Sequence, residues 1–174
     1  GEESITGWSN VVDAVHDVGG QIAAQLWHVG AVRKMGMPPN PEVNGYGPSG
    51  MNVPGKQNRE IMTLKDIDLV INAFVEAAIT AKSIGFDAIE LHGAHGYLIH
   101  EFISPISNQR EDEFGGSLDN RLKFPLEIFD DLRKIVPSDI ALGLRITGTD
   151  WRDDGLSLED AKNVAKTFEA HGAD

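Results

Sequence analysis

The chain contains no cysteine, and aromatic residues make up only 7% of its 174 positions. Without thiols, disulfides, thiolate metal sites and cysteine nucleophiles are excluded from these residues, so any chemistry must come from imidazole, phenol, carboxylate and cationic groups. Positive charge is also scarce: 15 Lys and Arg face 27 Asp and Glu, for a net charge of −12. No basic cluster offsets that total, so the electrostatic footprint of a nucleic-acid binder is missing and no nucleic-acid partner is expected. No apolar run approaches the roughly 18 residues of a membrane span. The opening GEESITGWSN has no basic region followed by an apolar one, so the expectation is an unexported, cytoplasmic protein with no membrane partner.

What is present suits one globular core, with 41% hydrophobic and 24% charged residues. Residues 5 to 18 carry Ile5, Trp8, Val11, Val12, Val15 and Val18 at helical spacing before Gly19-Gly20. QIAAQLWHV then reads as a strand, in which Gln25 interrupts the apolar run on the face of Ala23 and Trp27. From Gly30 to Asn58 the chain is dense in Gly, Pro and Asn and reads as a long loop, a type that is usually functional or mobile. Gly45, Gly47 and Gly50 fit G-x-G-x-x-G there, but no strand precedes and no helix follows, so the dinucleotide fingerprint is a chance match.

Thr63 with Asp66 resembles a capping box ahead of a helix whose apolar face is Ile67, Val70, Ile71, Phe74 and Ala78. Ser117 caps a later helix bearing Pro125 and ended by Pro137, IALGLRI reads as a strand, and Ser157 caps a last helix.

The stretch Phe86 to Arg121 is where chemistry concentrates. Alternation along its strand puts Phe86, Ala88, Glu90 and His92 on one side and Asp87, Ile89 and Leu91 on the other. Gly93 and Gly96 let the backbone turn after His92, bringing His95 and Tyr97 to the same volume: two imidazoles and a phenol around a site for an oxygen atom. Asn108, Arg110, Asp112, Arg121 and Gly115-Gly116 read as structural fasteners.

Helix and strand alternate throughout, which points to an α/β fold of successive βα units around a parallel sheet, most naturally a (β/α)8 TIM barrel. Gln25, His92 and Arg145 each sit near the carboxyl end of a strand, the rim on which such barrels build active sites. Gly85-Phe86-Asp87 leads into a strand, and Gly172-Ala173-Asp174 repeats that punctuation. A barrel takes about 250 residues, so the expectation is a partial barrel, roughly strands 3 to 5 with flanking helices, truncated at both ends. Residues 1–174 are thus expected to be the central segment of one domain. Closure by pairing with another copy, a homo-oligomer, is the alternative.

Taken singly, these residues have plainer readings. Gln25 is a polar group satisfied at a strand end, Tyr97 a packed aromatic, and Arg145 the partner of Glu90 in a buried pair. His92 and His95 also have metal-ligand spacing, but no third ligand is evident, since His100-Glu101 lie on the next segment.

Together, HGAHGYL, SPISNQREDEFGGSLDNR and QLWH resemble the old yellow enzyme family of flavin-dependent ene-reductases, also called NADH:flavin oxidoreductases. The resemblance runs through nearly the whole chain and weakens mainly between residues 30 and 58. It implies a barrel holding FMN at its carboxyl rim, which takes hydride from NADH or NADPH. The hydride passes to the activated C=C bond of a small molecule, an α,β-unsaturated carbonyl or nitro compound. By resemblance His92 and His95 match the donor pair for the substrate's carbonyl or nitro oxygen, and Tyr97 the proton donor. Gln25 matches the contact to the flavin pyrimidine edge and Arg145 the cation near N1 and O2. Many members have asparagine where His95 stands. No metal is implied. Because the phosphate-holding loops of such barrels follow strands seven and eight, this stretch alone is expected to hold FMN weakly or not at all. The competing readings are a metal-assisted hydrolase or aldolase-like barrel and a catalytically idle barrel fragment acting in assembly.

Overall fold

The computed structural model describes residues 1–174. In chain order the elements are α1 (Glu2–His16), β1 (Ala23–Leu26), a short 3-10 turn (Gly30–Val32), β2 (Tyr46–Gly47), β3 (Met51–Val53), β4 (Lys56–Gln57), β5 (Glu60–Ile61), α2 (Leu64–Ser83), β6 (Ala88–Gly93), α3 (Leu98–Ile103), α4 (Leu118–Ile135), β7 (Ala141–Ile146) and α5 (Leu158–Ala170). Each long helix starts where local chemistry satisfies its free amides. Thr63 and Asp66 form a reciprocal capping box on α2, Ser157 and Asp160 do the same on α5, and Ser117 accepts from the Asn120 amide on α4. Helix α1 begins earlier than its apolar spacing suggests, because Glu2 and Glu3 favour the positive end of its dipole.

Strands β1, β6 and β7 form one parallel sheet in the order β1-β6-β7. Ile89, Leu91 and Leu142 project from its covered face into a core completed by Phe74 and Ala78 of α2, Phe124, Ile128, Phe129 and Leu132 of α4, and Val164 and Phe168 of α5. Phe102 stacks on Phe124 with ring centroids 4.1 Å apart, and Phe129 meets Phe168 edge-on at 5.2 Å. Truncating one such ring to alanine removes about 3 to 5 kcal/mol. The opposite face of the sheet carries no helix, and the sheet is open at β1 and β7 rather than closed into a barrel.

The repeated Gly-x-Asp punctuation has a structural meaning. Gly85 and Gly172 both adopt left-handed backbone, at φ 93° and 91°. Asp87 Oδ2 then accepts from the Ile22 amide (2.8 Å) while its own amide donates to the Ile22 carbonyl (3.0 Å). Asp174 repeats both bonds on Leu142, at 2.9 and 3.1 Å. Each aspartate therefore clamps the start of the preceding strand, and Asp87 sets the parallel register of β6 with β1.

Two expectations need correction. The segment between Gly30 and Asn58 is not featureless: β2 pairs in parallel with β5, and β3 with β4 as a short hairpin. Its glycines serve close backbone packing, since a Cβ at Gly45 would lie 2.5 Å from the Arg33 carbonyl and one at Gly50 would lie 2.4 Å from that of Arg59. The stretch after Tyr97 is not all loop either. LIHEFI forms α3, one and a half turns with every residue buried, too short to show helical periodicity.

Candidate active site

The uncovered face of the sheet is built in rows by its register. Ala23, Ala88 and Ala141 form one row, Gln25, Glu90 and Gly143 the next, and His92 with Arg145 the row at the carboxyl ends. The first row is small and the third is polar, so the face deepens below a polar rim. A Cβ at Gly143 would meet nothing within 4 Å, which leaves open space beside Glu90.

Beyond β6 the backbone turns tightly. Gly93 tolerates no side chain, because a Cβ would lie 2.9 Å from both the Arg145 carbonyl and Leu144 Cδ1. His95 and Gly96 both adopt positive φ, 61° and 76°. A non-glycine residue there is uncommon, and the His95 amide is held by donating to Thr147 Oγ1 at 3.0 Å. The turn brings the three expected groups together: the His92 ring centroid is 5.2 Å from that of His95 and 5.4 Å from that of Tyr97. Trp27 meets Tyr97 edge-on at 4.9 Å, so the end of β1 adds an aromatic wall. Trp27 follows directly on β1, and its alternation with Gln25 was the sequence signal for it.

His92 is 5% exposed, and its Nδ1 is buried without a hydrogen-bond partner. Burial, then the neighbouring His95 and Arg145, push its pKa below the ordinary histidine value, and Glu90 opposes them only in part. A neutral imidazole carries one N–H donor. Gln25 donates its amide to Glu90 across the strands. Arg145 takes part in none of the chain's ion pairs, so the pairing with Glu90 is not formed, and its guanidinium stands on the open face uncompensated. No group of three or more His, Asp or Glu side chains is placed to hold a metal ion, and His92 and His95 lack a third ligand.

Behind the turn lies a second polar layer that the sequence did not reveal. His100 Nδ1 accepts from the Gly96 amide at 2.8 Å, and its Nε2 lies 2.9 Å from Asp150 Oδ1. Burial raises the Asp150 pKa, but the adjacent His100 ring and hydrogen bonds from Ser104 Oγ and the Leu156 amide outweigh it and bring the carboxyl down to about 2. Glu101, 3% exposed, accepts from the Ala31 amide at 2.9 and 3.1 Å through its two oxygens. Burial pushes its pKa up to about 8 against the lowering by that bond. The residues read as fasteners are such: Asn108 donates to the Phe102 and Phe114 carbonyls, Arg110 to those of Pro48 and Met62, and Arg121 to those of Ile103 and Gly116.

The family model described as NADH:flavin oxidoreductase / NADH oxidase family matches residues 1–174. The chain is 37% identical over 171 residues to an NADH oxidase of Thermoanaerobacter brockii, covering 98% of this chain and 26% of that protein. It is 36% identical over 174 residues to an NADPH dehydrogenase of Bacillus subtilis (strain 168), covering 99% and 49%. Among solved structures, a 2-naphthoyl-CoA reductase complexed with 2-naphthoyl-CoA superimposes with a TM-score of 0.86 at 31% identity, covering 98% of this chain and 28% of that one. The chain thus spans between a quarter and a half of the length of these relatives.

Proposed function

The chain belongs to the NADH:flavin oxidoreductase / NADH oxidase family, and from that premise we propose that it forms the catalytic part of an FMN-dependent ene-reductase. The activity is transfer of hydride from NADH or NADPH, by way of FMN, to the activated C=C bond of an α,β-unsaturated carbonyl or nitro compound. The three-stranded sheet is then an arc of a (β/α)8 barrel, with its uncovered face turned to the barrel interior and further strands beside β1 and β7.

The observation that carries the reading is the gathering of His92, His95 and Tyr97 at the end of β6, beside the Gln25 and Arg145 rows. The donor set fits a flavin. Arg145 is a free cation for an electron-rich ring edge, Gln25 an amide that donates and accepts, and the orphaned Nδ1 of His92 shows a buried group still lacking its partner. FMN, when bound, supplies the hydride.

The chain's own residues do the rest. As a hydride reaches the β-carbon of an enone, negative charge grows on the conjugated oxygen. Preorganised N–H donors from His92 and His95 stabilise it, each worth about 3 to 4 kcal/mol when such donors are removed singly elsewhere. The Tyr97 hydroxyl gives its proton to the α-carbon, and Trp27 helps to exclude water from that side. Arg145 and Gln25 would hold the FMN ring, Arg145 by offering positive charge to an electron-rich edge and Gln25 by its amide.

The test is an anaerobic titration of the purified full-length protein with NADPH, followed by addition of 2-cyclohexen-1-one. A flavin spectrum that bleaches and then returns with formation of cyclohexanone supports the reading. A protein that binds no FMN, or whose bleached flavin is not reoxidised by the enone, overturns it.

A further inference from the structure

His100 lies on α3, three residues past Tyr97, and its ring is buried behind the turn. Its Nδ1 accepts the Gly96 amide proton at 2.8 Å. A ring nitrogen that accepts carries no proton, so the proton of the neutral ring sits on Nε2. Nε2 is 2.9 Å from Asp150 Oδ1, off the line of the N–H bond, so the attraction is that of an N–H dipole for a nearby carboxylate. Asp150 is itself pinned, since Oδ2 accepts from Ser104 Oγ at 2.6 Å and from the Leu156 amide at 2.7 Å. A continuous chain of polar contacts therefore runs from the loop after β7, through Asp150 and His100, to the amide of Gly96.

Gly96 separates His95 from Tyr97, and both His95 and Gly96 hold left-handed backbone. A histidine in that region is strained and persists only when its surroundings over-determine it. The His95 amide has Thr147, and the Gly96 amide has His100 as its partner. We propose that His100, braced by Asp150, is a positioning residue that sets the His95–Gly96–Tyr97 turn by accepting the Gly96 N–H. The effect on turnover rests on the roles given above to His95 and Tyr97; the tautomer and the bracing do not.

Substitutions at His100 separate its two contacts. Asparagine puts a carbonyl oxygen where Nδ1 stands and restores the acceptor for Gly96. Glutamine puts an amide nitrogen near Nε2 and restores only the donor to Asp150, and leucine restores neither. In the flavin-loaded full-length protein, single-turnover reduction of 2-cyclohexen-1-one is expected to stay within about threefold of wild type in His100→Asn. It falls more than about tenfold in His100→Gln and His100→Leu, as a misplaced turn predicts, with melting temperatures recorded alongside. Equal loss in all three, or a normal rate in His100→Leu, overturns the proposal.

A second measurement needs no variant. Nitrogen-15 spectra of wild-type His100 are expected to show Nδ1 unprotonated and Nε2 protonated, and the opposite tautomer overturns the proposal. Failure of the wild-type flavin to accept hydride from NADPH would count against the ene-reductase reading, while the tautomer result would stand separately.

Discussion

His92 and Arg145 stand side by side in register on β6 and β7, with the guanidinium free of any carboxylate partner. Burial, His95 and Arg145 together keep His92 below the ordinary histidine pKa. The native state therefore binds fewer protons there than the unfolded chain as pH falls through about 6.5, and this site's contribution to stability declines on acidification. Arg145→Met should raise the His92 pKa part of the way back, since burial and His95 remain. Glu90→Gln should lower it further. An NMR titration of His92 reads both, and a midpoint unmoved by Arg145→Met contradicts the arrangement.

Glu101 gives the opposite pH dependence. Its folded pKa of about 8 lies above the ordinary 4.5, so the native state holds a proton that the unfolded chain has lost between those values. Stability from this site is full at low pH and is lost as pH rises from about 4.5 towards 8. Glu101→Gln keeps an acceptor for the Ala31 amide without the ionisation. Chemical denaturation at pH 5 and pH 8 should show a smaller drop in the variant than in wild type, and an equal drop contradicts the assignment.

Gly115 tests the loop that follows α3. A Cβ there would lie 2.0 Å from the Arg110 carbonyl, which Arg110 cannot move without losing its bonds to Pro48 and Met62. Gly115→Ala should cost about 3 kcal/mol, at the upper end of what overpacking removes. Gly116→Ala also meets strain, through its φ of 82°, but has no clash within 4 Å. Denaturant midpoints of the two variants give the comparison, and a Gly115→Ala protein as stable as wild type refutes it.

Much of this was legible in the sequence because it is written locally. The capping pattern of Thr63 with Asp66 and the cap at Ser157 mark helix starts, and Gln25, His92 and Arg145 were each legible near the carboxyl end of a strand. The Gly-x-Asp repeat was visible too, although its function as a clamp on Ile22 and Leu142 needed the fold. Less legible were contacts made across long separations. Nothing near Gln25 announces that its amide reaches Glu90, 65 positions later. Nothing near His100 announces Asp150, because a parallel sheet brings successive loops together only after their helices have packed. α3 was missed because its six residues, His100 and Glu101 included, are all buried and leave no exposed face against which a helical period can be seen.

The central claim is that His92 and His95 together hold the oxygen on which charge develops. The most direct measurement is the single-turnover rate at which the NADPH-reduced, full-length protein reduces 2-cyclohexen-1-one, compared between wild type and His92→Ala, His95→Ala and the double variant. Each single loss is expected to slow that step by about 10²- to 10³-fold with flavin still bound. Rates within a few-fold of wild type in the double variant, with flavin retained, would contradict the account.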